Sequence, residues 1–506
     1  MTKRPNILFV QADQLTINVL APYGHAIART PHLDALAADG LVFENAYCNY
    51  PLCSPSRASM AAGQMASRIG AYDNASEFPA SIPTYAHYMR ILGYQTCLSG
   101  KMHFIGPDQL HGFERRLTSD VYPADFAWTP DWLAEGFHGA TDMRMLTVSG
   151  PSARNVQIDY DVDVAAKAVQ FIYDSARSDD PRPFFMQVSF THPHDPYLCQ
   201  PHHWDLYPDG VAMPRVPLPD EGDNDPHSLR ILFQHGLKDA DITDEMIARA
   251  RRAYCGSVSF IDDKIGQLVA ALRQSGQMDD TVIIFTTDHG EMLGERGLWL
   301  KKTFFEGSER VPLIFHGPGR ISPGRSQALV SLVDLLPSFA SLGAGDDGFE
   351  GIETLDGTDI LALPRKGTGA RPVYSELLCE GIKAPIFMVR RGDMKLITSE
   401  GDPPMLFDLA ADPDETRNLA DDPAHAETLA RLTAEVAAQW DSARLSVDVL
   451  ASQRRRQLIN RATQSGKKPS WDHVPPNTDH ARYYRGNQHY NDWAFAHLEP
   501  PERERN

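Results

Sequence analysis

The sequence predicts an α/β fold built on a mostly parallel central sheet, and three observations carry the prediction. Short unbroken apolar runs recur at residues 7–10, 184–190, 281–286 and 312–316, the pattern of strands covered on both faces. Stretches of helical periodicity lie between them, and helices alternating with buried strands favour a parallel sheet. At 506 residues, 42% hydrophobic and 23% charged, the chain has apolar surface for a large core and the composition of a globular protein.

In chain order, Thr30-Pro31 is followed by Leu33, Leu36 and Ala37 and closes at Gly40. That is a helix N-cap, a proline at the first helical position and a glycine stop. Residues 83–92 with Gly93 repeat the grammar, and residues 161–174 and 244–273 read as longer helices. After Gly343 the texture changes. A Gly/Asp-rich linker at 343–351 leads to a two-stranded meander at 386–391 and 395–398, then to a helix with Leu429, Leu432, Val436 and Trp440 on one face. The chain thus divides into a main α/β domain at 1–343, a smaller C-terminal α+β lobe at 344–450 and an extended tail at 451–506. The tail holds ten Lys/Arg against six Asp/Glu, includes Arg454-Arg455-Arg456 and is rich in Trp, Tyr, His and Asn. It is expected to pack against its own acidic body or a neighbouring subunit.

Charge and cysteine usage exclude several function classes. A net charge of −19 disfavours nucleic acid, which needs a basic face, but leaves small anions open because local field matters more than net charge. The six cysteines are scattered and form no CxxC pair, so neither a disulfide framework nor a structural zinc site is expected. The N-terminal apolar run is far shorter than the about 7–15 residues of a secretory segment or the about 20 of a membrane helix. The expectation is a soluble protein of the reducing cytoplasm, without membrane or nucleic-acid partners.

Three groups of residues carry chemistry. Cys53-Ser54-Pro55-Ser56-Arg57 puts a cysteine at a helix start, where amides and dipole favour an anion, with Arg57 one turn on as a fork donor. Asp13-Gln14 and Asp288-His289 each follow an apolar run, so two acidic dyads stand at strand ends, as a divalent cation site requires. Oxygen ligands alone suit Ca²⁺ or Mg²⁺, and the His289 imidazole shifts the balance toward Mn²⁺. The third group is Ser99-Gly100-Lys101-Met102-His103, Thr191-His192-Pro193-His194-Asp195-Pro196 and Trp299-Leu300-Lys301-Lys302. Together these supply a nucleophile, a metal site, anion clamps and acid/base groups.

On these residues the chain resembles the type I sulfatases of the alkaline phosphatase superfamily. The C-x-P-x-R at Cys53–Arg57 is similar to the sulfatase signature, and Gly100-Lys101 resembles the second one. Ser81-Ile82-Pro83-Thr84-Tyr85, Gly106-Pro107-Asp108-Gln109-Leu110-His111-Gly112-Phe113 and Tyr122-Pro123-Ala124-Asp125-Phe126 look most like choline sulfatases, beside a related group of arylsulfatases and phosphonate monoester hydrolases. The resemblance implies a large mixed, mostly parallel sheet flanked by helices, with residues 1–343 as the catalytic domain. It also implies a homodimer or homotetramer joined through the tail.

For the site it implies that a formylglycine-generating enzyme converts Cys53 to formylglycine, whose hydrate attacks sulfur. Metal ligands carry over to Asp13, Gln14, Cys53, Asp288 and His289, with Ca²⁺ and Mn²⁺ both open. Arg57 polarises the aldehyde hydrate, Lys101, His194 and Lys301 grip the sulfate, and His103 takes the proton that lets sulfate leave. Asn74, Trp128, Glu380 and Asp492 fall on the substrate side, the last three where choline sulfatases meet a quaternary ammonium. The chain departs from that pattern at Asp131-Trp132-Leu133-Ala134-Glu135-Gly136-Phe137-His138, which replaces a Trp-Trp-Tyr-His-Asn-type segment. The expected activity is hydrolysis of a small sulfate monoester, with choline-O-sulfate and an aryl or alkyl sulfate both open. A phosphonate monoester or phosphodiester hydrolase is the alternative.

Overall fold

The computed structural model describes residues 4–134, 143–220, 222, 224–238, 240–367, 371–465 and 490–499. Its main sheet has eight strands: β1 Asn6–Ala12, β2 Leu41–Tyr47, β3 Gln95–Gly100, β4 Arg115–Arg116, β5 Phe184–Ser189, β6 Thr281–Thr287, β7 Arg310–His316 and β8 Gly324–Ser331. Their spatial order is β8-β2-β7-β6-β1-β5-β3-β4. Strand β7 alone runs antiparallel to its neighbours, so the sheet is mixed and mostly parallel. β1 and β6 are buried along nearly their whole length, which is why they read as unbroken apolar runs. β2, β3 and β8 escape the apolar-run criterion because they carry Glu44-Asn45, Gln95-Thr96 and Arg325-Ser326-Gln327 within the ladder.

The helices begin where the caps place them. Asn155 accepts from the Ile158 amide to start a helix at Val156–Arg177, and Thr243 accepts from Met246 to start Asp244–Gln274. Both therefore extend slightly beyond the stretches read from periodicity. Among the described residues no helix is long and apolar enough to cross a membrane.

The smaller lobe contains a four-stranded antiparallel meander, β9 Val373–Leu377, β10 Ile386–Arg391, β11 Met394–Ser399 and β12 Asp402–Asp408. Only its central pair was legible in the sequence, since β9 holds Ser375-Glu376 and β12 opens with Asp402-Pro403-Pro404. The helix Ala426–Gln439 lays Leu432, Val436 and the following Trp440 on Phe387, Val389, Leu396 and Leu406. A final long helix, Ser442–Gln464, begins before residue 451. The expected boundary at 450/451 thus falls inside one helix, whose start is capped by Asp441.

The strand polarity positions the chemistry. Asp13 follows β1, Lys101 follows β3, His192 and His194 follow β5, and Asp288 follows β6. All stand beyond carboxyl ends of parallel strands, where an open α/β sheet gathers ligands.

Candidate active site

Cys53 opens the helix Cys53–Ala62, and the Asn74 side-chain oxygen accepts from the Ser54 amide at 3.0 Å. Every residue of that helix is buried. The Cys53 sulfur lies 3.2 Å from His289 Nε2 and 3.9 Å from an Asp13 oxygen. Burial alone would raise this thiol, but Lys101, Lys301 and His289 overcome it and hold it well below its usual range.

Arg57, one turn along, is itself fully buried and joins the two dyads. Its Nε donates to Asp288 at 2.8 Å, its Nη2 to Asp13 at 3.0 Å, and its Nη1 to the Lys101 carbonyl and the Ser189 hydroxyl. Lys101 also pairs with Asp13, and its ammonium sits 3.7 Å from the centre of the Tyr122 ring. Gly100 makes this approach possible, because a Cβ there would overlap the Ser189 carbonyl oxygen.

On the opposite side, Lys301 donates to the Gln14 side-chain oxygen, and its Nζ lies 2.9 Å from His194 Nε2. Asp195 meets the other His194 nitrogen at 3.0 Å. Burial opposes the charged imidazole, yet Asp195 raises His194 to about 9, and His194 in turn lowers Asp195 to about 2. Two cation-forming groups are thus held in contact, an arrangement relieved by an anionic oxygen between them.

His103 is different. Neither of its buried ring nitrogens makes a hydrogen bond of ordinary geometry, and burial lowers its pKa against the pull of Cys53 beside it. Its left-handed backbone (φ 54°) is shared by Gln14 (62°), Leu300 (67°) and Lys302 (73°), so strained non-glycine residues cluster around the site.

Several residues that hold this geometry were not among the sequence candidates. Asp120 accepts from the Met102 and His103 amides and pairs with Arg116, fixing the loop that carries Lys101 and His103. Glu291 accepts from Gln14 at 2.5 Å and from the Leu293 and Leu300 amides, tying one dyad to the Lys301 loop. Asp161 binds His192 at 2.7 Å and the Thr191 amide. No spacing announces Asp120 or Asp161. Glu291 follows Asp288-His289 closely, and that proximity was its one signal.

Of the substrate-side candidates, Trp128 packs edge-on against His103 at 5.9 Å and against Tyr122 at 5.8 Å. Glu380 sits 2.5 Å from Lys302, next in sequence to Lys301. Asp492 is exposed on a short helix and pairs with Arg144 at 3.9 Å, so its recorded contact is away from the buried cluster. Of the segment 131–138, residues 135–138 lie outside the described residues. Trp132 donates its indole N–H to the Cys379 carbonyl at 2.7 Å and so reaches the Glu380 strand end.

The donor set fits a divalent cation. One ligand atom each from Asp13, Cys53, Asp288 and His289 lies within 4.8 Å of all the others, and all four residues are buried. His289 Nδ1 faces the Gly290 carbonyl at 3.0 Å, which leaves Nε2 as the ligand. Gln14, next to Asp13, turns its amide oxygen toward Lys301 and its amide nitrogen toward Glu291.

Known proteins are similar to this chain along most of its length. Residues 5–345 match the sulfatase family model, residues 294–441 the C-terminal model of N-sulphoglucosamine sulphohydrolase, and residues 447–497 the choline sulfatase enzyme C-terminal model. A choline-sulfatase of Rhizobium meliloti is 44% identical over 96% of each chain. An arylsulfatase of Clostridium perfringens is 29% identical over 82% of this chain and 90% of its own. The crystal structure of a phosphonate monoester hydrolase of Agrobacterium radiobacter superposes with a TM-score of 0.70 at 23% identity, covering 88% of this chain and 96% of that one.

Proposed function

Because the chain belongs to the sulfatase family and is a sulfuric ester hydrolase, we propose that its substrate is a small sulfate monoester of a cationic alcohol, with choline-O-sulfate as the first candidate. The observation that carries this reading is the near full-length similarity to a choline-sulfatase, extended by the match of residues 447–497 to the choline sulfatase C-terminal model. The Trp128 ring beside His103, with the Glu380 carboxylate, supports it chemically.

In this proposal Cys53 is converted to formylglycine by a maturation enzyme. The hydrated aldehyde would then supply the nucleophile, and a divalent cation, Ca²⁺ or Mn²⁺, would supply Lewis acidity beside it. Asp13, Gln14, Asp288 and His289 would hold the cation, and Arg57 keeps both aspartates and position 53 in register. Lys101, Lys301 and protonated His194 take the sulfate oxygens and neutralise the charge that grows as the ester bond lengthens. His103, beside position 53 with its pKa lowered by burial, accepts the proton that allows sulfate to leave.

The exposed Val447, Leu458 and Ile459 on the Ser442–Gln464 helix support assembly through the tail, as a homodimer or homotetramer. All six cysteines are free and buried, which supports a reducing, cytoplasmic setting. The test is kcat/KM for choline-O-sulfate and for a neutral aryl sulfate, in wild type and in Glu380→Gln. A preference for choline-O-sulfate that Glu380→Gln selectively removes is the expected result. Equal loss on both esters would leave an arylsulfatase-like enzyme. Faster turnover of a phosphonate monoester than of either sulfate would favour the phosphonate hydrolase reading, which the shared fold keeps in play.

A further inference from the structure

The Ser442–Gln464 helix turns one short face toward the catalytic domain, and three side chains there reach two loops, one at Asp73 and one at 129–132. Arg456 makes a two-pronged ion pair with Asp73, both bonds 2.7 Å, and also donates to the Thr129 hydroxyl at 3.3 Å. Gln453 accepts from the Trp132 amide at 3.1 Å, and Gln457 donates to the Pro130 carbonyl at 3.2 Å. The spacing 453, 456, 457 puts the three on adjacent turns of one face. The Arg456 and Asp73 side chains are only 6% and 0% exposed, so this pair is dehydrated.

A buried ion pair adds little net stability over apolar residues of the same size, and its best-attested use is to fix one arrangement. What is fixed here is legible from the next contacts. Asp73 also accepts from the Ala75 amide, and between them Asn74 caps Ser54 at the start of the nucleophile helix. Thr129 follows Trp128, whose ring lies against His103, and the Trp132 indole is tied to the Cys379 carbonyl beside Glu380. One guanidinium therefore spans the nucleophile loop and the wall that faces the leaving group.

We propose that Arg456 is a positioning residue that sets the separation of these two walls, so that the C-terminal helix selects the leaving group without touching it. The inference rests on the nucleophile and leaving-group sides assigned above. It gives the tail helix a task within its own subunit that is independent of assembly.

The test uses full-length enzyme whose aldehyde content at position 53 is measured by peptide mass, so that rates refer to active sites. Arg456→Met should lower kcat/KM for choline-O-sulfate about tenfold, mostly through KM, and for 4-nitrophenyl sulfate less than about threefold. Arg456→Lys restores charge without the fork and should recover only part of the loss. Should Arg456→Met fail to fold, Thr129→Val cuts one strand of the strap and should move the same ratio in the same direction. An unchanged ratio of the two esters in folded variants would overturn the proposal, because a merely structural pair lowers both alike. Wild type inactive on choline-O-sulfate would instead sink the substrate reading, and the strap would then be judged by whether Arg456→Met raises KM for the aryl ester at unchanged kcat.

Discussion

The buried charges at the strand ends and those at the lobe junction are arranged differently, and the difference shows which group is built for chemistry. At the lobe junction, Lys395 sits between Glu306 at 3.0 Å and Glu415 at 2.8 Å, Tyr47 donates to Glu306, and Arg390 reaches Tyr47. Each of these charges is answered by another fixed group, while burial favours the neutral form of Glu309 beside them. Burial opposes ionisation of Glu306, but Lys395 and Arg390 bring it down to about 2. At the strand ends, by contrast, Lys301 and His194 are pressed together, the His103 nitrogens make no hydrogen bond of ordinary geometry, and both surround a nucleophile. A cavity of about 190 Å³ borders the junction cluster, lined by Glu306, Arg310, Arg390 and Glu415 among others. The mismatch of like charges around Cys53, and not the amount of buried charge, identifies the site.

The largest expected effect breaks the strand-end cluster at its centre. Cys53→Ala should reduce turnover by about 10⁴-fold or more while circular dichroism and melting stay near wild type. Retained turnover in metal-loaded Cys53→Ala would remove the nucleophile from position 53 and the contrast with it.

Next come the carboxylates. Asp13→Asn should lower both bound metal, measured by elemental analysis, and kcat, by about 10²-fold or more, because ligand loss weakens a buried site and strands Arg57 and Lys101. Chelation of wild type should give the same loss, reversed by adding back one divalent ion. Full metal occupancy and rate in Asp13→Asn would show that the dyad is a structural ion pair like the one at the junction.

How far the sequence foretold these two clusters follows from how each is made. Asp13, Cys53, Arg57, Lys101, His194, Asp288, His289 and Lys301 sit at the ends of apolar runs or in short motifs, so chain order alone brings them into one reading. The parallel sheet then sets them side by side. Asp120, Asp161 and the Asp73–Arg456 pair were illegible because each acts through contacts 17 to 383 residues away in sequence. The junction cluster was illegible for the same reason: Glu306, Lys395 and Glu415 come from three separate elements. Strands β2, β3 and β8 were missed because polar residues interrupt them, even though tertiary cover buries most of each.

A subtler test tunes the wall of the site. Lys302 pairs with Glu380, so the carboxylate offered to a cationic leaving group is partly neutralised. Burial opposes ionisation of Glu380, and Lys302 more than compensates, holding its pKa below the usual range. Measured at a pH high enough to keep Glu380 ionised without its partner, Lys302→Met should release that charge and raise the kcat/KM ratio of choline-O-sulfate over a neutral aryl sulfate about three- to tenfold. A falling ratio would mean that the ammonium of Lys302, not the Glu380 carboxylate, meets the leaving group.

The smallest expected effect belongs to the junction, where charge should govern stability and leave turnover alone. Glu309 lies there fully buried, and burial raises its carboxyl to about 8 despite Lys395. In the unfolded chain the same group titrates near its ordinary value of 4.5. A folded-state pKa above the unfolded one contributes stability that is complete below about 4.5 and is lost as pH rises through about 8. Glu309→Gln keeps the shape, mimics the neutral acid and cannot ionise. The variant should therefore match wild type only below about pH 4.5, melt about 2 °C above it at pH 6 and about 4 °C above it at pH 9, with kcat unchanged at both of the last two. The wild-type-minus-variant difference in melting midpoint must grow more negative between those values. A difference that is flat with pH would show that Glu309 is already paired and ionised at neutrality. A lost kcat would mean that the two clusters are coupled and the contrast between them is not one of chemistry against support.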